Sequence, residues 1–311
     1  MRVATSTFNN EFIDQLNLLQ QNQLRLQNQA ATGQKLTLPE DDPAAMQRVL
    51  NLQAESLANT QYQNNIAALQ NQATSTYGAI NGLKTISDRA GEIATLADGT
   101  KSPQDLAAYA TEVNGLIQQA VQLANTKYQG DYILAGTATG AAPFVATTDS
   151  SGNVTAVAYQ GNTSVAQSEI ASNVTATAQT LGANTTGSGP RGLITDSRYG
   201  ADFLNHLISL RNDLQAGNTA AIAATDHPAL AKDEDNFLFH ISANGTLQAR
   251  LTATNDLAAQ HGTDLDGQIS QDRDADIAQT ITQLKQAQTA YSAALQSGSS
   301  ILNLSLLNYL H

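Results

Sequence analysis

The 311-residue chain contains no cysteine and no tryptophan. The first absence excludes disulfides, thiolate metal sites and cysteine nucleophiles. Charged residues make up 14% of the chain, well below the usual quarter, and aromatic residues only 5%. So little aromatic bulk argues against one compact enzyme core. Proline is scarce as well, with 6 in the whole chain. Lys and Arg number 15 against 27 Asp and Glu, for a net charge of −12. With no basic cluster, nucleic-acid binding is not expected, because phosphate contacts need Lys and Arg. No apolar run approaches the roughly 18 residues that span a membrane. The opening MRVATSTFNNEFIDQL lacks the continuous apolar stretch of a secretory signal. Composition alone therefore places the chain in the cytoplasm.

What is present is helical periodicity, strongest near the two ends. Phe8, Phe12, Leu16, Leu19 and Leu26 recur at helical spacing, with Gln23 the polar exception. Near the other end the same rhythm runs through Ile277, Ile281, Leu284, Tyr291, Leu295, Leu302 and Leu306. Each set makes one narrow stripe flanked by Gln, Asn and Ser. Such a seam cannot build a wide core and pairs with another helix. These twelve residues are the candidate assembly interface. Two such helices at opposite termini suggest a self-assembling subunit.

Between them the sequence punctuates itself. Thr32-Gly33 is a helix stop. Asp42 before Pro43 reads as an N-cap, with Asp41 a solvated neighbour rather than half of a metal site. From Pro43 to about Ala97 the spacing of Leu50, Leu57, Ile66, Leu69, Ile80 and Leu83 predicts one helix of roughly 80 Å. Gly78, Gly82 and Gly91 mark sites of close helix approach or a bend. Asp98-Gly99-Thr100 is a turn. Ser102-Pro103-Gln104-Asp105 then resembles a capping box, and a helix follows to about Tyr128, giving an antiparallel hairpin. From Gly130 the chain turns to Gly, Thr, Ser, Ala and Val. Strands are expected at Tyr132–Leu134 and Val154–Tyr159, and more weakly at 165–170 and 174–178. Helix returns at Tyr199 and stops at Ala216-Gly217-Asn218. A loop containing Pro228 follows, then a helix around Phe237, Ile241, Leu247, Leu251 and Leu257, interrupted at Gly245.

Few motifs carry chemistry. Gly187-Ser188-Gly189-Pro190-Arg191-Gly192 fits GxGxxG, but Thr-rich sequence precedes it where a buried strand is needed and Pro190 lies inside, so it reads as a flexible linker. Asp272, Asp274 and Asp276 resemble the start of a calcium loop, but Ile277 stands at the glycine position and Gln283 where the bidentate Glu belongs. They read as acidic residues complementing a helix N-terminus. His206, His227, His240 and His261 are dispersed without metal-ligand spacing. No catalytic residue, cofactor or metal is expected.

The chain as a whole resembles the flagellin superfamily. The residues that carry the likeness are Arg2–Thr7, Leu24–Gln27, Ala31–Lys35, Pro39–Ala45, Gly130–Thr137 with Pro143-Phe144, Asp274–Ala278 and Leu302–Leu310. Within the superfamily it is most similar to members at the junction between hook and filament. That resemblance implies a mainly α fold with an inserted small β domain: a long antiparallel helical rod whose terminal helices form a coiled coil in the assembly. The implied domains are a terminal assembly domain at 1–40 and 275–311, disordered in the monomer, a rod at 41–130 and 199–274, and an outward β domain at 131–198. It further implies a structural, non-enzymatic role in motility, as an adaptor between hook-associated protein and filament. The implied partners are hook-associated protein 1, flagellin, copies of itself and an export chaperone. Export would use the flagellar type III channel without a cleaved signal, giving an extracellular location. Two rival readings are a short flagellin that forms the filament itself and a hydrolase hidden in residues 131–198.

Overall fold

A computed structural model describes residues 2–307 along the backbone and residues 10–300 in side-chain detail. Long helices dominate, with a few small sheets. The helices in chain order are α1 (Arg2–Thr32), α2 (Pro43–Leu96), α3 (Pro103–Ala124), α4 (Phe203–Ala216), α5 (Thr219–Ala221), α6 (His227–Arg273) and α7 (Ile277–Leu307). The strands are β1 (Lys127–Tyr128), β2 (Asp131–Tyr132), β3 (Phe144–Thr148), β4 (Val154–Tyr159), β5 (Ser168–Ala171), β6 (Val174–Ala176), β7 (Leu181–Asn184), β8 (Gly192–Asp196) and β9 (Ala201–Asp202). The chain divides into two compact units, one of residues 1–58 with 260–311 and one of residues 59–259.

In the unit of residues 59–259, α2 and α3 form a hairpin. Ser102 and Asp105 close a capping box at the start of α3, and Pro103 needs no N–H at that position. Arg89 reaches from α2 to grip Glu112 of α3 with both Nε and Nη2, at 2.6 and 3.0 Å. Gly82 sits against Leu123, so the missing Cβ admits the leucine. The core gathers Ile80, Leu83 and Ile93 of α2, Val113 and Ile117 of α3, and Phe203 and Leu207 of α4. Phe203 meets Phe237 of α6 edge to face, with centroids 4.9 Å apart. Gly217 ends α4 in the left-handed region at φ 68°, where glycine alone is unstrained.

The strands pair locally. β3 and β4 form a hairpin, as do β5 and β6, while β8 lies between β7 and β9. The expected strand at Tyr132–Leu134 stops at Tyr132. Ile133 and Leu134 instead turn inward and are buried, with Leu134 O accepting from Gly182 N and from the Tyr159 hydroxyl. The GxGxxG segment is not a flexible linker. It joins two parallel strands, β7 and β8, and the wholly buried Asn184 organises it. Asn184 Nδ2 donates to Ser188 O and Pro190 O, and its Oδ1 accepts from Thr186 N and the Thr186 hydroxyl. Sequence periodicity misses this because the organising bonds are polar.

Pro228 lies inside helical structure rather than in a loop. A π-helical stretch, Ile222–Asp226, precedes α6, and His227 N–H donates five residues back to Ile222 O. This wider turn accommodates a residue with no N–H to give. Gly245 does not interrupt α6. Its neighbour Asn244 donates to Ala73 O of α2 at 3.0 Å, so packing outweighs a propensity deficit of about 1 kcal/mol.

Asp226, at the end of the π stretch, is 1% exposed. One of its oxygens accepts from the Ser209 hydroxyl at 2.7 Å, while Oδ2 has no hydrogen-bond partner. Burial, with the nearby Asp213 carboxylate also acting against ionisation, raises its pKa to about 6. The native state thus holds a proton that the unfolded chain releases near pH 4. The cost of the buried charge is full above pH 6 and disappears as pH falls towards 4. Asp226→Asn keeps an acceptor for Ser209 and turns a donor towards Asp213. It is expected to stabilise the chain by roughly 1–3 kcal/mol at pH 8, with little gain at pH 4. Urea denaturation at the two pH values checks this.

Candidate assembly interface

α1 and α7 lie side by side within the other unit. Their covered residues recur at heptad spacing. On α1 the covered positions are Phe12, Leu16, Leu19, Gln23, Leu26 and Ala30, and Gln29, whose amide donates to Lys35 O, is buried as well. On α7 they are Thr280, Leu284, Ala287, Tyr291, Ala294 and Gly298. Both rows step by four and three residues, the spacing of a coiled-coil seam. The helices run antiparallel, because Phe12 near the start of α1 meets Gly298 late in α7 while the end of α1 meets the start of α7. At Gly298 a Cβ would fall on the Phe12 ring. The glycine lets the ring lie against the α7 backbone.

The seam is thin. Leu26, Thr280, Ala287 and Gly298 are buried, but Phe12, Leu16, Leu19, Leu284 and Tyr291 are only half-buried. Ile277, Ile281 and Leu295 are not covered by it and are 40%, 42% and 46% exposed. On α1, Ile13, Leu18 and Leu24 are also exposed. The side chains of Phe8, Leu302 and Leu306 lie outside the described residues. Sequence periodicity overlooked Thr280, Ala287, Ala294 and Gly298, because small residues add little to a hydropathy pattern. Their heptad spacing was the available signal.

A polar joint ties the far ends of this helix pair to the rest of the unit. Gly33, at φ 73°, ends α1. Ala275 N donates to Gly33 O and Lys35 N to Arg273 O, both at 2.8 Å. The Lys35 ammonium donates to Gln271 O at 2.7 Å. Asp41 is not merely solvated. It accepts from Leu38 N, Thr37 N and the Thr37 hydroxyl, and the backbone donors of Leu38 and Thr37 hold its pKa below the usual carboxylate value. Asp42 accepts from Ala44 N and Ala45 N at 3.0 Å and caps α2. Beneath them Leu36, Ala45, Val49 and Ile269 form a small apolar cluster.

The three aspartates before α7 diverge. Asp272 receives both Nε and Nη2 of Arg48 at 3.0 Å, which lowers its pKa. Asp274 accepts from Ser270 and Arg273. Asp276 accepts from Gln279 N at the start of α7. Each carboxylate faces a different protein donor. The histidines are equally separate: His206 bonds Asp233, His240 bonds Gly192 O, and His261 bonds Glu55. No helix among the described residues is long and apolar enough to cross a membrane.

Comparison with known proteins agrees with this architecture. Residues 3–139 match the family model of the bacterial flagellin N-terminal helical region. Flagellar hook-associated protein 3 of Salmonella typhimurium is 31% identical over 146 residues, which is 46% of this chain and 46% of that protein. The match thus spans about half the length of this curated relative. Among solved structures, a candidate flagellar hook-associated protein from Vibrio parahaemolyticus aligns with a TM-score of 0.64 at 22% identity, over 75% of this chain and all of that one. Bacillus cereus FlgL aligns at 0.55 and 21% identity, over 71% of this chain and 99% of that one. The resemblance to the flagellin superfamily therefore holds by sequence over residues 3–139, and the fold is that of the solved FlgL proteins.

Proposed function

We propose that this protein is a structural adaptor of the bacterial flagellum, joining hook-associated protein 1 on one side to flagellin on the other. The observation that carries the reading is the α1–α7 pair, whose thin heptad seam leaves Ile277, Ile281 and Leu295 of α7 exposed. Exposed apolar side chains of that kind are covered when copies pack side by side. In the free subunit residues 1–40 and 275–311 remain largely disordered, since a seam of half-buried leucines and small residues does not offset the ordering entropy of two 31-residue helices. Assembly supplies the missing contacts. Residues 41–130 and 199–274 act as the rod and 131–198 as the outward β domain. Export proceeds without a cleaved signal, assisted by a chaperone, and the protein acts outside the cell without catalysis. The identity to hook-associated protein 3 of Salmonella supports the junction role.

The match of residues 3–139 to the flagellin N-terminal region also admits a second reading, a short flagellin. Deleting the gene separates the two. Hooks without filaments, with flagellin released into the medium, are the expected result. Filaments of normal length would refute the junction role, and loss of flagellin itself would identify the filament subunit.

A further inference from the structure

Arg191 stands where strand β8 begins, after the exposed 185–190 loop. Its guanidinium carbon lies 3.6 Å from the centroid of the Tyr199 ring and 4.4 Å from that of Phe239. The planar group is sandwiched between two aromatic faces. Its Nε donates to Asn236 Oδ1, which fixes the plane. Neither terminal nitrogen has an acceptor among the described residues, and no carboxylate of those residues lies within ion-pair distance. The other arginine at this site, Arg198, is fully engaged by Asp196 and Gly189 O.

The two rings are not core residues. Tyr199 is 50% exposed and Phe239 47%, and Leu238 beside it is 43% exposed. An exposed apolar platform thus surrounds a cation whose conformational freedom is already lost and whose remaining donors are unused. Such a fork is shaped to take a carboxylate with two parallel bonds. The chain is short of cations, with 15 against 27 acidic residues. A neighbouring copy therefore presents carboxylates in excess to any such socket.

We infer that Tyr199, Arg191 and Phe239 form a socket that receives an exposed carboxylate of a second copy of this chain. The inference rests on the assembly reading above, which sets copies side by side. It adds a contact site far in sequence from the terminal helices.

The test is photo-crosslinking in isolated flagella of cells carrying the full chain. One position for the crosslinking amino acid is Leu238, beside the socket but outside it, and the control position is Ile281. Both are expected to give a crosslinked dimer of this chain. Arg191→Gln is expected to lower the Leu238 dimer roughly five- to tenfold and leave the Ile281 dimer unchanged. Arg191→Lys, which keeps the charge but not the planar fork, is expected to fall between. A Leu238 dimer insensitive to Arg191→Gln would overturn the socket. So would crosslinks from Leu238 only to another protein, or none, while Ile281 still reports the dimer. Loss of both dimers in Arg191→Gln would also overturn it, because Arg191 would then serve the fold. Absence of an Ile281 dimer in the otherwise unaltered chain would remove the assembly reading itself, and the socket with it.

Discussion

A Gly298→Val chain is expected to fold normally in its residue 59–259 unit and yet to leave cells non-motile, with bare hooks. The reason is local. The Phe12 ring occupies the place where a side chain at 298 would begin. Adding three carbons there separates α1 from α7, and overpacking of this kind costs about 1–3 kcal/mol in a well-packed site. The seam has little to set against that, since its other members on α7 are Thr280, Ala287 and Ala294 alongside two half-buried residues, Leu284 and Tyr291. The same defect recurs in every copy. Phe12→Ala in the same chain makes room and should recover part of the motility, a coupling that independent sites would not show. Normal swimming by the Gly298→Val strain would mean that the α1–α7 seam is not the assembly element.

The second large effect is expected from Asn236→Leu. Asn236 is wholly buried on α6, and its amide donates to Gly192 O at 2.9 Å and Leu193 O at 2.6 Å. Its Oδ1 accepts from Arg191 Nε. Leucine fills a similar volume but leaves these groups without that partner in a dry site. At roughly 1–3 kcal/mol for each orphaned group, shared partly with His240, the expected loss is about 3 kcal/mol. That corresponds to roughly 10 °C in thermal midpoint for a unit of this size. An unchanged midpoint would show that the β8–α6 junction is held by apolar packing alone.

The same junction has an acid weakness. His240 donates to Gly192 O, and burial pushes its pKa down to about 4. The unfolded chain takes up a proton near pH 6.5 that the native state refuses. His240 therefore contributes stability that is present above pH 6.5 and is lost as pH falls towards 4, by about 3 kcal/mol at most. Asp226 and His206 have raised pKa values and act with the opposite sign over part of that range. The measurement is thus the difference between the parent chain and His240→Gln. The parent should lose more stability than the variant between pH 7 and pH 4.5, and parallel curves would refute the assignment.

The sequence by itself determined the helices wherever the signal is local. Asp42-Pro43 and the Ser102–Asp105 box mark where α2 and α3 begin, and Ala216-Gly217-Asn218 where α4 ends, because caps and left-handed glycines act within one turn of chain. The α1 seam was legible from Phe12, Leu16, Leu19 and Leu26, which are large enough to stand out from Gln and Asn. Tertiary structure alone decided the rest. On α7 the residues covered by α1 are mostly small, while the larger Ile277, Ile281 and Leu295 stay exposed, and only the partner helix decides which are covered. The Asn184 and Asn236 networks were likewise invisible, since an asparagine reads as loop or surface until strands 181–184 and 192–196 and helix α6 bring carbonyls to it. Pro228 and Gly245, both helix breakers by propensity, sit in helical structure because a π turn and the contacts of Asn244 outweigh about 1–3 kcal/mol of local preference. Local preference is a sum of small terms, and packing overrides it wherever buried contacts are larger.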